Sequence, residues 1–191
     1  MNKLDEVFAA IDAANALDPN LDANGKPACL VYGQKMSERL NLFAPQAGED
    51  LAIAVRGQHI ERWKIPRDSY PMDRAGYLRW RSDLKDVHSS RLTEIMRAAG
   101  YADEHIARVG QIVRKERFKT DPEAQTLEDV ACLVFLEHYA ADFTAKHADD
   151  KSIDIIRKTW RKMSDHGHEA ALALALPPHV GELVKKALSS E

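Results

Sequence analysis

The chain has 191 residues and a mass of 21.4 kDa, room for one large domain and little more. Hydrophobic residues at 45% and charged residues at 30% exclude collagen-like, low-complexity and disordered classes. The longest apolar run, Val130 to Leu136, is far short of the roughly 20 residues that a membrane-spanning helix needs, so no membrane partner is expected.

Asp5 to Leu17 reads as a short amphipathic helix closed by the turn Asp18-Pro19-Asn20, with a polar loop holding Asn24-Gly25 and Pro27 after it. Acids within this first stretch interrupt what would have to be the apolar core of a signal peptide, so a cytoplasmic location is expected. Two cysteines, Cys29 and Cys132, make no metal-ligand spacing and fit reduced thiols. A second helix runs from about Ala28 to Leu42, ahead of Pro45. The third, Gly48 to Trp63, carries Leu51, Ala52, Val55, His59 and Trp63 at helical spacing, which puts His59 beside the apolar stripe.

Ile65 to Gly76 has two prolines, one glycine and four charges and reads as an ordered irregular loop in which Tyr70 and Met72 seek burial. A long helix from about Arg74 to Ala99 follows, stopped by Gly100. Its inward row is Tyr77, Trp80, Leu84, Val87, His88, Leu92, Ile95 and Ala99, so His88 stands where an apolar residue would. Asp103 reads as the cap of a helix over Glu104 to Arg117, and Thr120 or Asp121 as the cap of the next, from Pro122 to about Lys146. Apolar residues on every side between Val130 and Leu136 mark a rod surrounded by other helices. Glu128 and Asp129 precede that run, and a buried carboxylate needs a compensating partner. Ser152 to Met163, Glu169 to Ala175 and Pro178 to Leu188 read as outer helices. The expected fold is all-α, a single-domain multi-helix bundle: a peripheral helix and loop over 1–26, a core over 28–163, and C-terminal helices over 164–191.

Charge is uneven along the chain. Arg56 to Lys119 holds 15 Lys or Arg against 9 Asp or Glu, while the remainder holds 12 against 21. Basic residues usually form solvated faces, and an anion pocket is the competing reading. Facing bundle helices can converge histidines and acids on one point. The candidates are Gln58, His59, His88, Glu128 and Asp129, whose nitrogen and oxygen donors suit zinc, iron or manganese. A satisfied core histidine is the plain alternative for each imidazole. His166 with His168, and His105, His138, His147 and His179, form no motif. No GxSxG turn, Gly-rich phosphate loop, CxxC or HExxH occurs. Trp63, Tyr70, Tyr77 and Trp80 lie at helix spacing within the basic stretch and read as core packing over base stacking.

The phrases QHIERWKIPRDSYP (58–71), RAGYLRWR (74–81), LEDVACLVFLEH (127–138) and KTWRKMS (158–164) resemble signature blocks of the domain-of-unknown-function 4202 family. More distantly, the order of elements resembles the HD-domain superfamily, whose helical bundles commonly hold metals and hydrolyse phosphoesters. Under that resemblance Gln58-His59 stands where His-Asp would be, His88 falls on the later helix, Lys115 takes the next histidine position, and Asp129 matches the final aspartate. Tyr32, Gly33 and Gln34 stand where the first histidine is expected.

The resemblance implies an HD-like, metal-dependent phosphoester hydrolase acting on a nucleotide or other small phosphorylated molecule. A divalent metal (Zn, Fe or Mn) would be held by His59, His88 and Asp129, with Glu128 and Asp129 as catalytic carboxylates. Arg62, Arg67, Arg81, Lys115 and Lys119 would bind the phosphate. The alternative is a catalytically silent bundle, with Gln58, His59, His88, Asp129 and Lys115 as a satisfied buried network, serving as a binding module for a nucleotide, RNA or protein partner. Self-association stays open.

Overall fold

The computed structural model describes residues 2–189. Ten α-helices account for most of the chain, and no strand occurs among the described residues, as the helical periodicities predict. The chain divides into two compact units, Met1–Leu127 and Glu128–Glu191. The division falls inside the helix Pro122–Val134.

The first unit contains α1 (Lys3–Asn15), α2 (Ala28–Phe43), α3 (Glu49–Gly57), α4 (Arg74–Ala98), α5 (Asp103–Arg114) and the start of α6 (Pro122–Val134). Asn2 caps α1 by accepting from the Asp5 amide at 2.8 Å, and Asp73 caps α4 by accepting from the Gly76 amide at 2.7 Å. α5 packs against both α3 and α4, and α1 against α2, α3 and α4. Gly57 permits the close approach of α3 to α4, since a Cβ there would lie 2.5 Å from Leu92 Cδ2. Ile53, Ile60, Leu92, Met96 and Ile112 form the fully buried centre.

Three boundaries differ from the sequence reading. α3 ends at Gly57, six residues before Trp63, and a short 3₁₀ turn follows over Arg62–Lys64. The cause is tertiary. Glu61 adopts a left-handed backbone (φ 51°), its amide donates to buried Asn15 Oδ1 at 2.9 Å, and its carboxylate receives Lys64 and Arg91. His59 therefore sits in the turn after the helix and not on its stripe. α5 stops at Arg114 because Lys115 turns left-handed (φ 58°) with no glycine to signal it. Its first residue is Asp103 itself, and Ala102 occupies the cap position without a side-chain bond.

On α4 the core row is Trp80, Leu84, His88, Leu92, Ile95 and Met96. Tyr77 (42% exposed) and Val87 (40%) face out instead. Met72, 76% exposed, is likewise not buried. The 65–76 loop is ordered by polar ties: Tyr70 donates to Asp83 at 2.8 Å, and Arg67 donates to the carbonyls of Tyr70, Pro71 and Asp73. Gly100 closes α4 as expected, at φ 74°. Asp121 is the α6 cap, accepting from the amides of Glu123 and Ala124.

The second unit continues α6 through a single π-helical turn, Phe135–Tyr139, into α7 (Ala140–Ala145), then α8 (Asp149–Trp160), α9 (Asp165–Leu172) and α10 (Pro178–Leu188). The π turn interrupts what the sequence suggests is one continuous helix. α10 packs against α8 and α7. His168 lies flat on Trp160, ring centroids 4.0 Å apart, which gives this histidine a packing role. Cys29 and Cys132 are both free thiols, and no described helix is long and apolar enough to cross a membrane.

Candidate functional site: a cationic pocket around two histidines

The turn after α3, the middle of α4 and the end of α5 enclose a pocket in the first unit. Its cavity is small, about 30 Å³, room for a water-sized group or two. Gln58, His59, Arg62, Arg81, Lys85, His88 and Lys115 are its polar lining. Four side chains of the lining are cations and none is a carboxylate. Each arrives by an identifiable cause. His59 and Arg62 are set by the turn that Glu61 forces. Arg81, Lys85 and His88 stand at i, i+4 and i+7 on α4 and so share one face. Lys115 is delivered by its own left-handed backbone, a conformation that side-chain-bearing residues adopt at a cost and that clusters at functional sites.

The two imidazoles lie 6.0 Å apart between ring centroids. Tyr32 stacks on His59 at 4.5 Å, the planes within 16°, and receives the Gln58 side-chain amide on its hydroxyl. Thus Tyr32 supports the His59 ring. Arg62 Nη1 lies 3.1 Å from His59 Nε2. A guanidinium has only donors, so Nε2 must be the accepting nitrogen, and the neutral ring carries its proton on Nδ1. Burial first, then Arg62, His88, Lys115 and Arg81, hold His59 well below the usual histidine range. The ring is enclosed by protein charge yet keeps partial exposure because it borders the pocket.

His88 is 2% exposed, and its polar neighbour is the Ile60 backbone, outside good hydrogen-bond geometry, so at least one ring nitrogen is unsatisfied. Burial and then Arg62 push it down to about 4, opposed in part by the Ile60 backbone nearby. Such orphaned atoms cost roughly 1–3 kcal/mol each where nothing satisfies them. Arg62 lies against the Trp80 face, 4.5 Å from its centroid, and burial draws its own pKa below the ordinary guanidinium value. Among the described residues neither Arg62 nor Arg81 has a carboxylate within ion-pair distance, whereas Arg56, Arg91, Arg108 and Arg114 each do.

Two of the remaining candidates in the first unit lie outside the pocket lining. The Arg67 guanidinium is tied to loop carbonyls and is not in the pocket lining. Lys119 is exposed beside the Phe118 ring. Glu128 and Asp129 belong to the second unit. There Glu128 pairs with Lys162 at 3.4 Å. Asp129 takes the Ser164 amide on Oδ1 at 2.8 Å and the Ser164 hydroxyl on Oδ2 at 2.6 Å. The sequence reading does not single out Lys85, and it names Tyr32 only as a departure from the HD pattern. The 81-85-88 spacing on one helix was the available signal for Lys85, and nothing local marks Tyr32.

The HD resemblance implies a metal, and the pocket's donors do not fit one. Among the described residues no group of three or more His, Cys, Asp and Glu side chains is placed to hold a metal ion. The lone pair of His59 Nε2 already faces a guanidinium, and the surrounding charge repels a cation.

Comparison with known proteins gives a family without an activity. The model of the domain-of-unknown-function family DUF4202 matches residues 5–184, and the chain belongs to that family. No curated protein and no solved structure matches it.

Proposed function

We propose that this protein binds the phosphate group of a small phosphorylated molecule in the pocket between α3, α4 and α5, without a metal. The observation that carries this reading is the meeting of Arg62 and Arg81 in this pocket, neither with a carboxylate within ion-pair distance among the described residues. Like charges gathered in a partly buried site repel one another, and a bound oxyanion relieves that repulsion. Two arginines offer the planar forks that match phosphate oxygens, and lysines add point charges. Neutral His59 and His88 each contribute one N–H donor without adding to the repulsion. His88 gains in the ligand a partner that the protein does not provide.

A silent, fully satisfied polar network accounts less well for the same residues, because His88 is left unsatisfied and the arginines lack acids. Calorimetric titration with inorganic phosphate, a sugar phosphate and a nucleoside monophosphate tests the proposal. Binding is expected with and without chelator, weakened about tenfold or more in Arg62→Met and in Arg81→Met. Absence of binding to all three at millimolar concentration would overturn it.

A further inference from the structure

We propose that the phosphorylated molecule is a nucleotide, and that Tyr77 is the platform on which its base stacks outside the pocket. The inference rests on the phosphate reading above and deepens it by naming the class of ligand and the residue that recognises it.

The size of the cavity sets the first condition. About 30 Å³ beside Arg62 and Arg81 takes one or two phosphoryl oxygens, so the rest of the ligand lies on the surface at the mouth. One face of α4 leads there. Tyr77, Arg81 and Lys85 stand at i, i+4 and i+8 and share that face. Arg81 and Lys85 line the pocket, and the Tyr77 ring is next in the row, its centroid 5.9 Å from the Arg81 guanidinium carbon. The Tyr77 hydroxyl also interacts electrostatically with Arg62.

Tyr77 is an aromatic side chain held in the open. Its position in the periodicity of α4 suggests the core, yet it is 42% exposed, and Met72 and Leu78 are exposed at the same end of the helix. Arg67 lies 5.8 Å from the ring centroid on the loop side. Both guanidiniums are near the limit of about 6 Å for a cation–π contact, so they flank the ring without sealing it. The support is fixed before any ligand arrives. Arg67 is anchored on three loop carbonyls. Trp80, tilted against Tyr77 at 6.0 Å, donates its indole N–H to the Ile65 carbonyl at 2.9 Å. A platform already in place spares the ordering cost of binding.

A nucleotide fits this order of groups. Arg81 makes no hydrogen bond among the described residues, so its fork is available to the phosphate. The ribose then crosses from guanidinium to ring, and the base lies on Tyr77. A sugar phosphate uses the cations and leaves the ring bare. Every base has a π face, and guanidinium planes also stack on bases. The site therefore favours nucleotides as a class over sugar phosphates, with little choice among bases.

Calorimetric titration of the full-length protein with adenosine monophosphate and with ribose phosphate, which differ by the base alone, tests this. The nucleotide is expected to bind about tenfold tighter. Tyr77→Ala is expected to lose that preference while binding ribose phosphate as the native protein does. Tyr77→Phe is expected to keep the preference, which separates stacking from a bond to the hydroxyl. If Tyr77→Ala melts lower than the native protein, Tyr77→Leu, which keeps bulk without a π face, carries the same expectation. Equal affinity of the native protein for the two ligands, or a preference that survives in these variants, overturns the platform and leaves the phosphate reading standing. If neither ligand binds, both fall.

Discussion

Ser164 gives Asp129 two hydrogen bonds, one from its amide at 2.8 Å and one from its hydroxyl at 2.6 Å, while the same hydroxyl accepts the Gly167 amide at 3.1 Å. Ser164 is the N-cap of α9, so a buried carboxylate orients the cap hydroxyl and lies at the positive end of the helix. Asp129→Ala should therefore cost about 2 kcal/mol of stability. Ser164→Ala should cost somewhat less, and the double variant should fall short of the sum by about 1 kcal/mol, because both remove one unit. Urea denaturation of the four proteins checks this. Additive losses would contradict a shared cap. Gly167→Ala should act through the same contact, since its Cβ would meet Asp129 Oδ1 at 2.7 Å.

His88→Leu should stabilise the protein and weaken phosphate binding together. The substitution keeps apolar volume on the core row of α4 and removes two buried nitrogens that no hydrogen bond of good geometry satisfies. A gain of about 1 kcal/mol in unfolding free energy and a roughly tenfold loss of phosphate affinity are expected. A destabilised variant would mean that the imidazole is satisfied in solution.

Acid should destabilise the protein in two separable windows. His88 has a folded pKa of about 4, below its ordinary 6.5, so its neutral form belongs to the folded state. Its contribution is complete above pH 6.5 and is lost as pH falls from about 6.5 to 4, amounting to about 3 kcal/mol. Asp121 is held down to about 2, chiefly by the hydrogen bond from Arg108, against an ordinary 3.8. Its contribution of about 2 kcal/mol is present above pH 4 and is lost between about 4 and 2. Stability measured against pH in the native protein, His88→Leu and Asp121→Asn should assign the two windows. His88→Leu should flatten only the upper one.

Lys115→Gly should separate fold from function. The left-handed backbone at φ 58° costs a lysine about 1 kcal/mol that glycine avoids. The variant should therefore keep its backbone turn yet bind phosphate more weakly, with a shallower salt dependence of binding. Equal phosphate affinity in the two proteins would remove Lys115 from the site.

What the sequence determined by itself is the helical content and the identity of most pocket groups. Periodicity, Asp73 and Asp121 as caps, and Gly100 as a stop are local effects acting within a few residues, so the start and end of α4 and the start of α6 were legible. His59 and His88 stood out because a titratable group on or beside an apolar row is costly, and Arg62, Arg81 and Lys115 because of the basic stretch. The family blocks are a property of the sequence as well. What tertiary structure decided is where helices stop early and which groups meet. Asn15, 46 residues away, takes the Glu61 amide and ends the α3 reading, which turns His59 and Arg62 into the pocket. No propensity encodes that bond. Carbonyls of the loop claim Arg67, so a guanidinium with the right chemistry serves the fold instead. Residue type tells what a side chain can do, and the neighbours that desolvate it or bind it decide what it does.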